Sequence, residues 1–312
     1  MTPLAPAAPT VHPTPRIYID GQLRATADAR ISVFDHGLLY GDGIFEGIRA
    51  YRGRVFKLER HIERLYASAK AIELEIPLSP SEMTDAVLET CAENGIVDGY
   101  IRLVVTRGVG DLGVDPRKCT AGPGIIIIAQ PAIAIYDSPA SQGVTAITST
   151  YRRVPPDALS PSIKTLNYLN NVMARLEANH RGAGEAILLD HQGFVAEATA
   201  DNVFIARGGT IMSPWTSTNL AGITRETIFE LAAELGIPAI ERPFTQYDMW
   251  TADEALVCGT AVEVVPLVSL DGRGIGTGAP GPLTERLRQA YHAHVRSHGA
   301  PIPVKASYSA AP

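Results

Sequence analysis

No apolar run in the sequence is long enough to cross a bilayer; the uninterrupted Ile125-Ile126-Ile127-Ile128 has the length of a buried strand. Cysteine is scarce. Cys91, Cys119 and Cys258 lie far apart and form no CxxC pair, so they read as buried thiols in a reducing compartment, and structural zinc is not expected. The first residues lack the basic segment and apolar core of a signal peptide, so a cytoplasmic protein is expected. Positive charge is not in excess either: the formal net charge is −6, with 19% charged residues. That balance argues against nucleic acid or an anionic membrane as the main partner, and any anionic ligand must be held by local groups. What remains is a globular composition, 46% hydrophobic over 312 residues, more chain than one core usually serves. Two domains are predicted.

Residues 1–15, rich in Pro and Ala, read as a disordered tail. Residues 16–130 read as a small N-terminal α/β domain, and residues 144–312 as a larger C-terminal one. Between them 131–143, broken by Pro131, Pro139 and Gly143, has the character of a linker. In the first half, Arg16-Ile17-Tyr18-Ile19 is a strand closed by the turn dipeptide Asp20-Gly21. The stripe Leu58, Ile62, Leu65, Ala69 and Ile72 predicts a helix over 57–72. Ser79-Pro80-Ser81-Glu82 has a capping-box pattern and Asn94-Gly95 a stop signal, which brackets a second helix. In the second half, His191-Gln192-Gly193 joins two strands as a hairpin.

Chemistry-bearing residues recur along this frame. Alternation over 100–106 puts Tyr100 and Arg102 on one strand face, where a phenol and a guanidinium suit a ligand carboxylate; an exposed strand face fits equally well. The loop from Arg107 to Val114 is too apolar to be merely solvated, so a ligand or another subunit should cover Leu112 and Val114. Leu166, Leu169, Met173 and Leu176 recur at helical spacing, which places Lys164 at the mouth of an amphipathic helix. There the positive end of the macrodipole favours a neutral, nucleophilic amine. Glu197 falls at a strand end before small residues, where a carboxylate can be half buried and aimed. Gly222 immediately precedes a helix beginning at Ile223-Thr224, leaving backbone N–H groups free for phosphate. Gly259-Thr260-Ala261, after a buried strand, offers a hydroxyl and amides to an anion.

The ordered set Phe45-Glu46-Gly47-Ile48-Arg49, Arg60, Tyr100-Ile101-Arg102, Lys164, Glu197 with Asn202-Val203-Phe204, Gly222-Ile223-Thr224-Arg225 and Gly259-Thr260-Ala261 resembles the class IV (fold type IV) pyridoxal-phosphate aminotransferases, specifically the branched-chain amino acid aminotransferases. The resemblance implies a two-domain α/β fold with pyridoxal 5'-phosphate in the interdomain cleft. It implies that Lys164 carries the cofactor covalently and acts as general base, that Glu197 holds the pyridine nitrogen protonated, and that Tyr168 bonds the phenolic oxygen. Arg60, Ile223 and Thr224 at the Gly222 turn, and Thr260 would bind the phosphate, with Leu220 against the ring. Phe45, Gly47, Arg49, Tyr100, Arg102, Thr260 and Ala261 would line the substrate pocket, joined by Tyr40 and Val114 from the neighbouring subunit of a homodimer. The implied reaction moves the amino group of leucine, isoleucine or valine to 2-oxoglutarate, with Arg102 meeting the γ-carboxylate of glutamate. Arg107 looks like the carboxylate-binding arginine of D-amino acid aminotransferases. A D-amino acid or (R)-amine transaminase, an aminodeoxychorismate lyase-like enzyme, and a silent binder of a phosphorylated ligand are the alternatives.

Overall fold

The computed structural model describes residues 15–131 and 142–304. Nearly all of the expected tail, the middle of the expected linker at 132–141, and residues 305–312 lie outside the described residues. The first half contains strands β1 (Arg16–Ile19) and β2 (Gln22–Ala25), helix α1 (His36–Tyr40), strands β3 (Gly43–Tyr51) and β4 (Arg54–Val55), helices α2 (Leu58–Ala71) and α3 (Pro80–Glu93), and strands β5 (Gly99–Thr106) and β6 (Gly124–Pro131). The second half runs β7 (Val144–Arg152), α4 (Leu169–His180), β8 (Glu185–Leu189), β9 (Val195–Ala198), β10 (Asn202–Arg207), β11 (Thr210–Ser213), α5 (Ile223–Glu234) and β12 (Ala239–Glu241). It continues with α6 (Gln246–Trp250), β13 (Glu254–Gly259), β14 (Glu263–Leu270), β15 (Arg273–Gly274), α7 (Pro282–Val295) and β16 (Ala300–Pro301). Among the described residues, no helix is long and apolar enough to cross a membrane.

These strands form two sheets. The first has seven strands in the order β16-β4-β3-β5-β6-β1-β2; the second has nine, along β12-β11-β10-β13-β14-β7-β8-β9 with β15 beside β14. The chain's last strand, β16, returns from the second half to pair with β4, so the C-terminal segment straps the two halves together.

Local rules account for the elements around the cleft. Asp20 and Gly21 both take positive φ, 48° and 85°, the turn that matches the twist of a two-residue hairpin. Leu58, Ile62, Leu65 and Ala69 are buried, and pack α2 with α3 against the first sheet. Ser79 Oγ accepts from the Glu82 amide while the Glu82 carboxylate accepts from the Ser79 amide at 2.7 Å, a complete capping box. α4 departs from the expected pattern. Its buried positions are Asn171, Ala174 and Ala178, whereas Leu169, Val172 and Leu176 face outward. Small residues are what allow it to sit close on β7 and β8, and the leucine stripe is left uncovered within one chain. Ser79→Ala is expected to cost about 1 kcal/mol in denaturant unfolding; an unchanged midpoint would show that Glu82 alone holds the start of α3.

Candidate active site

The pleat of β3 and β5 sorts their side chains into two faces. Ile44, Ile48, Ile101, Leu103 and Val105 are fully buried in the core with α2 and α3. Phe45, Gly47 and Arg49 have the opposite parity, and antiparallel register sets Gly47 opposite Arg102 and Arg49 opposite Tyr100. Gly47 is required there, because a Cβ would stand 2.1 Å from the Tyr100 hydroxyl. Arg102 donates to that hydroxyl at 3.1 Å and lies 4.5 Å from the centre of the Phe45 ring.

Lys164 stands over the same face, but not at a helix mouth. α4 begins at Leu169 with Tyr168 as its cap, and Lys164 lies upstream in an extended segment. That segment pairs with β3: Phe45 N donates to the Lys164 carbonyl, and Leu166 N to the Gly43 carbonyl, each at 3.0 Å. The expected role of the helix dipole therefore falls away. What aims the amine is strand pairing. Lys164 Nζ donates to the Tyr168 hydroxyl at 3.3 Å and lies 4.6 Å from the Phe45 ring centre.

Glu197, at the end of β9, is 5% exposed. Its carboxylate receives Arg153 Nε at one oxygen and the Leu220 amide at the other, the latter at 3.2 Å. Burial pushes its pKa up; Arg153, the Leu220 amide and the Lys164 charge oppose that rise without cancelling it. Arg153 escaped the sequence reading because nothing local marks it; only the fold brings it to Glu197.

The start of α5 is open for an anion. Gly222 caps it without any side-chain bond to the first-turn amides. Two glycines at this end are fixed by close approach: a Cβ on Gly222 would lie 1.9 Å from Asn202 Oδ1, and one on Gly259 would lie 2.0 Å from Asp201 Oδ1. Asn202 also donates to the Leu220 carbonyl at 2.9 Å, so adjacent residues brace both turns. Of the two arginines on this side of α2, the one named from sequence is the outer one. Arg60 is half exposed and is tied to Glu63 and Glu226. Arg64 reaches the Ala221 carbonyl at 2.9 Å and is held by Glu46 through two bonds of 2.7 Å. His61 Nδ1 donates to the same carboxylate at 2.7 Å. Burial would raise the Glu46 pKa, but Arg64 and His61 lower it to about 2. A glutamate among the apolar residues of Phe45-Glu46-Gly47-Ile48 was the available signal, since its burial demands cationic partners.

Three hollows adjoin these groups. The largest that Lys164 faces has a volume of about 470 Å³ and is lined by Phe45, Gly47, Tyr100, Arg102, Tyr168, Thr260 and Ala261, among others. Lys164 and Tyr168 also border a small space with Arg153 and Leu220. A third hollow adjoins Arg60, Arg64, Ala221, Gly222 and Ile223. Lys164 thus borders a hollow with the Arg153 and Leu220 that bind Glu197, and the open helix start lies just beyond Leu220; an amine, a carboxylate and anion-binding amides in this order fit an aromatic phosphate ester carrying a ring nitrogen and an aldehyde.

Two residues expected at the site, Arg107 and Arg49, stand off it, and Tyr40 and Val114, expected to reach a neighbouring subunit's pocket, face outward. Arg107 is bound to Asp42 at 2.9 Å and to the Ile72 and Glu73 carbonyls, each at 2.7 Å, so it clamps the end of α2. Arg49 lies behind the Gly259–Ala261 turn, bonding the Ala261 carbonyl. Tyr40 bonds the Leu112 carbonyl, and it and Val114 project outward at 37% and 78% exposure.

Residues 43–270 match the family model described as amino-transferase class IV. A Methanocaldococcus jannaschii protein, whose name gives branched-chain-amino-acid aminotransferase activity provisionally, is 50% identical over 88% of this chain and 95% of its own. The branched-chain-amino-acid aminotransferase of Pseudomonas aeruginosa is 38% identical over 88% and 91%. The crystal structure of the T.th. branched-chain amino acid aminotransferase complexed with N-(5'-phosphopyridoxyl)-L-glutamate superposes with a TM-score of 0.86 at 36% identity, covering 91% of this chain and 95% of that one.

Arg107→Ala leaves Asp42 and two carbonyls without their cation and is expected to cost roughly 2–3 kcal/mol in thermal or denaturant unfolding. Full stability in that variant would mean the clamp is idle.

Proposed function

Because the chain belongs to the class IV aminotransferases, we propose that it transfers the amino group of L-leucine, L-isoleucine or L-valine to 2-oxoglutarate, with pyridoxal 5'-phosphate held in the cleft. The observation that carries this reading is that Lys164 borders a hollow with Arg153 and Leu220, the two residues that bind the Glu197 carboxylate, and that the open start of α5 follows directly after Leu220. When bound, the cofactor supplies an electron-poor ring that stabilises negative charge at the substrate Cα.

The protein's residues do the rest. Lys164 Nζ would hold the aldehyde carbon and, as a free amine, would serve as the base that takes the proton from the substrate Cα. Tyr168 orients that amine. Glu197, its carboxylate bound by Arg153 and the Leu220 amide, would face the ring nitrogen and hold a proton there. The phosphate would be bound by the Ile223 and Thr224 amides, the Thr260 hydroxyl and Arg64, which we prefer to Arg60 because Arg64 lies against the Ala221 carbonyl beside the Gly222 turn whereas Arg60 is half exposed. Leu220 packs on the ring face.

Substrate binds over Phe45, Gly47 and Tyr100, which suit a branched apolar side chain, and the Thr260 and Ala261 amides take its α-carboxylate. Arg102, stacked on Phe45, meets the γ-carboxylate of glutamate. With Arg107 committed to Asp42 and α2, the feature that suggested D-amino acids is absent from the cleft. Tyr40 and Val114 serve the cleft of a second copy in a homodimer; the outward Val33, Phe34, Leu38, Leu112, Leu169 and Val172 supply the apolar surface such a pairing would cover. The two sheets with their helices act as the two domains, 16–130 and 144–312, joined through 131–143, with β16 of the second lent to the sheet of the first. The unpaired Cys91, Cys119 and Cys258 suit a cytoplasmic enzyme.

A donor panel tests this. L-leucine with 2-oxoglutarate is expected to turn over far faster than D-alanine or (R)-1-phenylethylamine, and Arg102→Ala to lose roughly tenfold or more in kcat/KM with glutamate but only about twofold with leucine. Preference for D-alanine would sink the substrate assignment; equal losses for both L-donors would move Arg102 to the α-carboxylate.

A further inference from the structure

The loop that joins β13 to β14 carries an anomaly. Gly259 pairs with Glu263 in the antiparallel register, leaving Thr260-Ala261-Val262 as a three-residue hairpin loop. The residue closing such a loop commonly adopts the left-handed conformation, and glycine is the ordinary choice there. Here the position is Glu263, at φ 65°. A β-carbon is tolerated at a cost in strain, so the side chain must return something that glycine cannot.

The Glu263 carboxylate sits between two partners. One oxygen is 3.3 Å from Arg49 Nη2, and the other accepts from His292 Nε2 of α7 at 2.8 Å. Arg49 in turn donates from Nη1 to the Ala261 carbonyl at 3.3 Å. All three side chains are largely shielded from water, with 13%, 21% and 29% exposure for Arg49, Glu263 and His292. Burial would raise the Glu263 pKa, but the His292 bond and the Arg49 charge bring it below the ordinary carboxylate range.

We infer that His292, Glu263 and Arg49 form a positioning relay that fixes the Ala261 carbonyl and thereby aims the Thr260 and Ala261 amides at the substrate α-carboxylate. This rests on the transaminase reading of the cleft. The relay touches neither substrate nor cofactor. It acts through the main chain: Arg49 pins the peptide plane between Ala261 and Val262, which fixes ψ of Ala261 and so limits how far the turn carrying the Thr260 and Ala261 amides can swing. Its effect therefore falls on every substrate with an α-carboxylate, regardless of side chain, which distinguishes it from Arg102.

Glu263→Gly separates this role from a fold defect, because glycine relieves the left-handed strain while removing the carboxylate. In steady-state assays of the holoenzyme, KM for L-leucine and for L-glutamate should each rise roughly tenfold with kcat within about twofold of wild type. The thermal midpoint should be no lower than that of wild type, and the cofactor titration, followed by absorbance, should be unchanged. His292→Phe should raise both KM values in the same way, and His292→Gln, which keeps a donor, should restore them. Unchanged KM in an active Glu263→Gly enzyme, or a rise confined to glutamate, would overturn the relay alone. A wild-type enzyme inactive on leucine would overturn the functional reading and the relay with it.

Discussion

The arrangement depends on a short antiparallel pairing between β3 and the strand-like segment that carries Lys164. Its two main-chain bonds fix the amine over the face of the first sheet that bears Phe45 and Gly47. Gly43 makes the contact possible: a Cβ there would lie 2.7 Å from both Leu166 Cδ1 and the Val105 carbonyl. Strand pairing sets position to within a fraction of an ångström, which a lysine on a free loop could not match. The strap formed by β16 on β4 reinforces the same join from the far end. The second half of the chain is therefore joined to the first sheet at two strands, through the Lys164 segment on β3 and through β16 on β4.

Charge inside this space is organised by a repeated device. Three shielded carboxylates have a guanidinium against them: Arg64 at Glu46, Arg153 at Glu197, Arg49 at Glu263. An uncompensated carboxylate at any of these depths would neutralise or destabilise the fold. The balance differs among them in a way that suits their tasks. Glu46, with an arginine and a histidine, is held far below the ordinary range and is a fixed anion that holds Arg64 in place. Glu197, buried with one arginine and one amide, keeps a raised pKa and is the carboxylate suited to sharing a proton with a ring nitrogen.

Much of this was legible in the chain because it follows local rules. The stripe of α2, the Ser79–Glu82 box, the shared face of Tyr100 and Arg102 and the bare glycine ahead of α5 each depend on spacing alone. The misplacements have physical causes. Leu169 and Leu176 suggested a core stripe on α4, but Ala174 and Ala178 take that face, and the leucines are left outward. Arg60 and Arg64 are one turn apart with similar neighbours; only the position of Glu46 on β3 decides which one turns inward. Arg107 belongs to a glycine-rich loop in sequence and to the end of α2 in space. Arg153 and His292 have no local signature, because their partners arrive from other strands.

The central claim is chemical: one amine, at position 164, holds the cofactor aldehyde. Borohydride reduction of the purified holoenzyme, followed by proteolysis and peptide mass spectrometry, tests it most directly. The reduced phosphopyridoxyl adduct is expected on the peptide containing Lys164, with loss of the visible absorbance band. An adduct on any other lysine, or absorbance lost without an adduct at Lys164, would contradict the account.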